Sequence, residues 1–255
     1  MNITSLGQTG FLIESGTTRV LVDPYLYDSV ADTYGSVFAR MVPAPLPPEE
    51  LTGIDWILLT HAHLDHTDPQ SLTALLAVNP QVRVMAPPES RAILADLGIA
   101  GVTPPPIEAT PLSDDLCVRS VPAAHTELRR AENGEVQDCG YLLKSSDGRS
   151  VYHAGDTIPH VEIFASLEGE TIDLALLPVN ERNFFRDEAG IIGNMSVREA
   201  FQMADRLQAR AVTPTHWELF AANSTPREEI EMGYRIASPS SRLEVIASGE
   251  TLQLT

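Results

Sequence analysis

The chain has 255 residues, 43% of them hydrophobic, enough to bury a substantial core in one domain or in two closely packed halves. Its 17 Lys+Arg against 35 Asp+Glu give a formal net charge of −18, which repels nucleic-acid backbones and anionic membranes and leaves a small-molecule substrate as the natural partner. No apolar stretch approaches the about 20 residues needed to span a bilayer.

The N-terminal residues 1–6 lack both a basic region and a long apolar run, so no secretory signal is predicted and a cytoplasmic location is expected. Residues 3–23 read as two strands joined by Glu14-Ser15-Gly16-Thr17 and ending at Val22-Asp23-Pro24. Residues 25–48 show neither period 2 nor period 3.6. They carry Tyr25, Tyr27, Tyr34, Phe38 and Met41 ahead of a proline-rich run, and suit a lid over a site as well as a surface loop packing its own rings. Trp56-Ile57-Leu58-Leu59-Thr60 reads as a buried strand. Helices are predicted over about 69–78 and 89–97, and strands near 82–86, 116–121, 139–144 and 149–153.

In the second half, 174–179 is a buried strand. The stretch 180–187, two phenylalanines flanked by arginines, is either a solvated connection or a cradle for an anionic, partly apolar substrate. Ser196-Val197-Arg198-Glu199 is a capping box, and Val197, Ala200, Phe201, Ala204 and Leu207 follow at helical spacing. Thr225-Pro226-Arg227-Glu228 opens another helix by the same logic, and strands close the chain near 243–247 and 251–254. Cys117 and Cys139 both fall in strand-like contexts and read as free thiols in a reducing compartment. Strands and helices alternating in two similar halves predict two sheets packed face to face with helices outside each, an α/β four-layer αββα sandwich formed by one domain over 1–255.

The chemistry concentrates in His61-Ala62-His63-Leu64-Asp65-His66, immediately after the strand at 56–60. Imidazole and carboxylate together suit zinc, manganese or iron. Four ligands in six positions crowd a single tetrahedral ion and suggest two ions sharing the loop. His125, Asp156 and His216 each sit just past another short β-like run, where a scaffold holds loops rigidly and still exposes them. Singly, each has a plain alternative as a core or surface residue. Together, four strand-end clusters with ligand chemistry are hard to attribute to chance.

The HxHxDH motif, followed by His125, then Gly155-Asp156-Thr157, then Pro214-Thr215-His216, resembles the metallo-β-lactamase superfamily of metallohydrolases over nearly the whole chain. The resemblance implies that His61, His63 and His125 hold one metal, that Asp65, His66 and His216 hold a second, and that Asp156 bridges both. Antibiotic-hydrolysing members lack the bridging aspartate, flavo-diiron proteins replace the second histidine by glutamate, and glyoxalase-type members continue with a Gly-Gly pair. Here the motif continues as Thr67-Asp68-Pro69. That ending, with Gly7-Gln8-Thr9-Gly10-Phe11-Leu12-Ile13, Tyr152-His153-Ala154-Gly155-Asp156 and Asn194-Met195-Ser196, is similar to the L-ascorbate-6-phosphate lactonase group. N-acyl-phosphatidylethanolamine phospholipase D shares that broad branch. The chain departs from the lactonase in having His125 and in being shorter.

The resemblance implies two divalent ions, zinc or manganese with iron also allowed, that share a water and bring its pKa to about 7. The resulting hydroxide would attack a carbonyl or phosphoryl centre, with Asp65 both ligating and orienting the nucleophile. His153 and Asp23 either orient ligands or make simple strand-end hydrogen bonds. His160 and Trp217 flank ligand segments and are candidates for the pocket wall. The leading expectation is a hydrolase of a lactone or related small ester. A phosphodiesterase or phospholipase D-type hydrolase is the alternative, and a non-catalytic metal-binding module is disfavoured by the size of the ligand set. A homo-oligomer is compatible with the sequence, which does not fix the assembly.

Overall fold

A computed structural model describes residues 1–255. In chain order it contains β1 (Asn2–Gly7), β2 (Gly10–Ser15), β3 (Thr18–Val22), α1 (Ser29–Tyr34), β4 (Trp56–Leu58), α2 (Pro69–Val78), β5 (Arg83–Met85), α3 (Pro88–Asp96), β6 (Thr110–Pro111), β7 (Leu116–Pro122), β8 (Cys139–Ser145) and β9 (Ser150–His153). There follow α4 (Val161–Ser166), β10 (Leu174–Pro178), α5 (Phe184–Glu188), α6 (Val197–Arg206), β11 (Ala211–Thr215), α7 (Arg227–Ala237), β12 (Arg242–Leu243) and β13 (Thr251–Gln253).

The strands form two sheets, one in the order β13-β1-β2-β3-β4-β5 and one in the order β12-β11-β10-β9-β8-β7-β6. Because successive strand side chains point to opposite faces, each buried strand feeds two apolar layers at once. Trp56 and Leu58 of β4 face the other sheet, where they meet Tyr141, Leu174 and Leu176, while Ile57 between them faces α2 and packs near Leu72 and Leu75. In β10, Leu174 and Leu176 join the inter-sheet core and Ala175 and Leu177 pack with Phe201 and Ala204 of α6. Three apolar layers therefore alternate with the sheets and helices, which is the predicted αββα sandwich. No helix is long and apolar enough to cross a membrane.

Several elements differ from the sequence reading. Residues 3–23 form three strands, because the chain reverses at Gly7 and Gln8, both left-handed with φ 89° and 57°. The 25–48 stretch contains α1 and a 3₁₀ turn at Ser36–Phe38, and 180–187 contains the start of α5, whose Asn183 side chain accepts from the backbone N–H groups of Phe185 and Arg186. Ser196 and Glu199 make the expected capping box on α6. Thr225 does not cap α7: its hydroxyl donates to the Val179 carbonyl, and Pro226 stands at the cap position with no side-chain bond. The strand expected near 243–247 is reduced to Arg242–Leu243. Cys117 is half-buried, Cys139 is buried, and both are free.

Candidate metal centre

Strand direction collects the chemistry on one edge. In the first sheet β1, β3 and β4 run the same way, since β1 and β3 each lie antiparallel to β2 and β4 pairs parallel with β3. In the second, β7 and β9 both oppose β8, and β10 and β11 run parallel to β9. The residues leaving their ends are Gln8, Asp23, His61 to His66, His125, Asp156 and His216. Ligand sites lie outside the carboxyl ends of strands for this geometric reason. The backbone N–H of His216 donates to the carbonyl of Gln8 at 2.9 Å, tying the two sheets together at the site.

All seven candidate ligands converge. His61 Nε2 lies 3.0 Å from His63 Nδ1, and His61, His63 and His125 present one donor atom each within 4.8 Å of one another. Asp65, His66 and His216 do the same, as do His61, His66 and Asp156. Asp156 spans the two groups: Oδ2 is 3.2 Å from His125 Nε2 and 3.4 Å from His216 Nε2, and Oδ1 is 3.5 Å from His66 Nε2. Asp65 Oδ2 is 3.4 Å from His216 Nε2 and 3.8 Å from His66 Nε2.

The donor set fits divalent cations. His66 Nε2 and Asp156 Oδ1 are buried and have no hydrogen-bond partner. Asp23, Asp65 and Asp156 surround His66 with no lysine or arginine salt-bridged to any of them, so acidic charge exceeds basic charge in a buried centre. Buried charge of this kind is stable only when paired, and a cation among these donors would pair it.

Supporting hydrogen bonds set the tautomers. Asp23 is fully buried. It accepts from the Thr60 backbone at 2.8 Å, from the Thr60 hydroxyl at 2.6 Å and from His66 Nδ1 at 2.7 Å. The single Thr60 proton is thereby committed, so Thr60 Oγ1 accepts from His61 Nδ1 at 3.0 Å and leaves His61 Nε2 as a lone pair facing the cluster. His153 takes the orienting role at one remove. Its Nε2 donates to the Thr9 carbonyl at 2.8 Å, and its Nδ1 accepts from the Gly155 N–H at 3.1 Å, which fixes the turn presenting Asp156. Gly155 is required there: its φ is +63°, and a Cβ would stand 2.9 Å from Thr60 Cβ.

Electrostatics follow the same arrangement. Burial, aided by His66 and His63, holds His61 well below the usual imidazole range, and burial also lowers His63. Both are thus neutral and ready to ligate at neutral pH. Burial alone would push Asp65 and Asp156 up, but the neighbouring histidines outweigh it and keep both carboxyls below their usual range. Burial opposes charge on His66, yet Asp156, Asp65 and Asp23 together raise it well above its usual value.

Two further contributors fall outside the predicted site residues. Gln8 Nε2 donates to Asp65 Oδ2 at 2.7 Å and lies 3.0 Å from His216 Nε2. Thr9 Oγ1 sits 3.1 Å from His66 Nδ1. Gln8, Asp23 and His216 are three of only five non-glycine residues with positive φ, at 57°, 44° and 58°. Left-handed backbone concentrated at one edge marks a place where geometry has overridden local preference.

Residues 18–217 match the beta-lactamase superfamily domain. The chain belongs to that superfamily. It is 29% identical over 260 residues to a UPF0173 metal-dependent hydrolase of Pyrococcus furiosus, covering 100% of both chains. It is also 29% identical over 243 residues to one of Oenococcus oeni, covering 91% of this chain and 92% of the relative. Among solved structures, an isothiocyanate hydrolase from Delia radicum gut bacteria aligns over 100% of this chain and 99% of its own, with a TM-score of 0.79 and 19% identity. At that identity the likeness speaks to fold alone. A metal-dependent hydrolase of the β-lactamase superfamily is the coarse description these relationships support.

In this superfamily member a cavity of about 420 Å³ opens beside the cluster, and His63, Asp65, Asp156 and His216 form its polar floor. Val30, Tyr34 and Phe38 line it, so the aromatic stretch at 25–48 contributes a wall. The stretch after Asn180 also contributes, through residues 189–192 rather than through its Phe-Arg pairs. Arg182 is bound to Glu199, and Phe184 and Phe185 are exposed. His160 caps α4 by accepting from the Glu162 N–H, and Trp217 packs against the α6 core, so neither lines the cavity.

Proposed function

We propose that the chain is a hydrolase working with two divalent cations, zinc or manganese, that opens a lactone or cleaves a related small ester. His61, His63 and His125 would hold one ion, Asp65, His66 and His216 the other, and Asp156 would serve both. The observation that carries this reading is Asp156, which offers Oδ2 to His125 at 3.2 Å and Oδ1 to His66 at 3.5 Å. A closed structural site needs only four ligands, and seven converging donors exceed that. When bound, divalent ions supply hydroxide at neutral pH and polarise the oxygen of the scissile group.

The chain's own residues do the rest. Asp65 stands between the cluster and the cavity, its side chain 16% exposed. Ionised at neutral pH, it can orient an attacking water, hold its proton and return it to the leaving oxygen. Gln8 Nε2 donates to Asp65 Oδ2 at 2.7 Å and so helps hold that carboxylate in place. Asp23 and Thr60 hold His66 and His61 with Nε2 toward the cluster.

The test is to strip the protein with chelator, reload it with Zn²⁺ or Mn²⁺, count ions per chain, and assay lactones, carboxylic esters and phosphodiesters side by side. Two ions and turnover of lactones or esters are expected. Saturation at one ion, with His66 and His216 dispensable, would defeat the two-ion assignment, and turnover confined to phosphodiesters would replace the substrate class.

A further inference from the structure

The cavity beside the cluster has no lysine or arginine in its lining. Eight of its 14 lining residues are hydrophobic, and apart from the cluster itself the only polar side chains are Tyr34 and Asn223. One wall is a run of edge-on rings, Tyr34 against Phe38 at 6.4 Å and Phe38 against Phe220 at 6.0 Å, with the buried Tyr25 backing Phe220 at 5.9 Å. Tyr25 and Phe220 belong to a separate small apolar cluster with Val30 and Leu219, against which Phe38 and Leu64 also pack. Leu64 lies between His63 and Asp65, so the motif itself turns an aliphatic side chain toward the cavity. Ile191 and Ile192 add further apolar lining.

None of the nearby arginines lines the cavity. Arg182 is paired in two contacts with Glu199. Arg186 donates to the carbonyls of Glu181 and Ser224. Arg40 donates to the carbonyls of Tyr25 and Val42 through Nη1 and Nε, and its Nη2, buried without a partner, lies outside the cavity lining. An anionic group carried on the far part of a substrate would lose water against hydrocarbon and find no cation, on a chain whose net charge is −18. Asn223, with a buried Oδ1 that has no partner, offers one neutral acceptor instead.

We propose that the cavity selects an uncharged substrate whose non-reacting part is an aliphatic or aryl group, with Phe38, Leu64, Phe220 and Ile192 setting that preference, and that it discriminates against substrates bearing a remote phosphate or carboxylate. The similarity to the L-ascorbate-6-phosphate lactonase group then does not extend to the substrate's phosphate. The kinetic part rests on the hydrolase reading above; the binding part does not require turnover.

Binding is measured by calorimetry on the metal-loaded protein with acetohydroxamic acid, octanohydroxamic acid and suberic acid monohydroxamate. The common hydroxamate anchors all three at the metals, and only the tails differ. The octano tail is expected to tighten binding at least about tenfold over acetohydroxamate, and the terminal carboxylate to abolish that gain. In parallel, kcat/KM for γ-lactones is expected to rise about tenfold or more as the side chain grows from methyl to hexyl. Phe38→Arg, or separately Ile192→Lys at a residue 43% exposed and outside the core, should restore much of the affinity for the carboxylated tail. Equal affinity for the three hydroxamates, or tighter binding of the carboxylated one to the unaltered protein, would overturn the cavity assignment. Lactones left intact with the affinity order preserved would overturn the lactone reading and support the cavity assignment. Turnover with a flat or reversed affinity order would do the opposite.

Discussion

Asp23→Asn isolates the orientation of a candidate ligand from the ligands themselves. Asp23 has φ +44°, a conformation asparagine tolerates, so the backbone should not be what fails. Its two oxygens accept three hydrogen bonds, two from Thr60 and one from His66 Nδ1. An amide can satisfy them in neither orientation. With the NH₂ toward the Thr60 backbone, two donors face each other in a buried site. With the NH₂ toward His66, Nδ1 must accept, and the imidazole proton moves to Nε2, the atom facing Asp156 at 3.5 Å. The unaltered ring can shed its Nε2 proton to a cation and keep Nδ1–H on Asp23, whereas in this orientation the Nε2 proton is the only one the neutral ring has.

Losing one hydrogen bond to a charged acceptor costs about 1.5–3 kcal/mol. A cost of that size, felt in cation binding, is about 10- to 100-fold in affinity, the range found for partners that orient metal-bound histidines. Competition titration against a chromophoric chelator reads this directly, and far-UV circular dichroism of the metal-free variant shows whether the fold persists. Unchanged affinity in a folded variant would mean that Thr9 at 3.1 Å and Thr60 at 3.4 Å hold His66 without the carboxylate, and the orientation argument would fail.

Asp156→Asn should release at least one ion and lower turnover by at least about 10²-fold, at or beyond what disturbing a ligand's supports costs. Full metal content and a near-normal rate in a folded variant would reduce Asp156 to a turn residue. Metal-free protein should lose stability as pH falls below 6.5, the ordinary imidazole value, because His61, His63 and His153 are held neutral in the fold and take up protons on unfolding. His66 runs the other way, since its raised value contributes stability below 6.5 that is lost as pH rises, but one residue opposes three. Below 3.8, protonation of Asp65 and Asp156 removes a further contribution, and denaturant midpoints that stay flat between about pH 7 and pH 5 would refute the ordering. Activity of the loaded enzyme should fall steeply below about pH 6 as imidazole ligands protonate, whereas a rate unchanged at about pH 5 would count against histidine ligation.

What the sequence made legible follows from the range of the interactions involved. The strand expected at 56–60, observed at Trp56–Leu58, and the α2 helix were readable because a short apolar run and a proline at a helix start are local signals, and Asp68 caps α2 by accepting from Gln70 and Ser71. The seven ligand candidates were readable because histidine and aspartate just past buried runs are chemically conspicuous. Gln8 and Thr9 were not readable as supports, because their partners lie 57 residues away in the chain. The turn they occupy escaped notice for a related reason: a left-handed glutamine carries no turn signature, and the bonds it makes are to Asp65 and His216, far along the chain. The aromatic stretch at 25–48 lacked periodicity because its rings pack against Phe220 from the far end of the sequence, rather than against a face of its own helix. Thr225 misled the reading of α7 because a hydroxyl that suits a helix cap was taken by the Val179 carbonyl across the sheet edge.

The same contrast accounts for how the site coexists with a stable fold. Each feature that serves the chemistry is locally unfavourable: three left-handed non-glycine residues, a glycine turn with no room for a methyl group, and an excess of buried carboxylate. All of them lie at one edge, while the three main apolar layers run through the body of the sandwich and do not include the cluster's side chains. Strain at the rim therefore need not propagate inward, because β4, β9 and β11 are already fixed by their neighbours before the chain turns into the site. The fourth apolar cluster is the exception in position. Built from Tyr25, Val30, Leu219 and Phe220, it lies beside the site and not between the sheets, and it lends Val30 and Phe220 to the cavity wall. A hydrophobic cluster contributing side chains to a concave opening buries less than it would if closed, and the uncovered apolar surface is what a neutral substrate would cover.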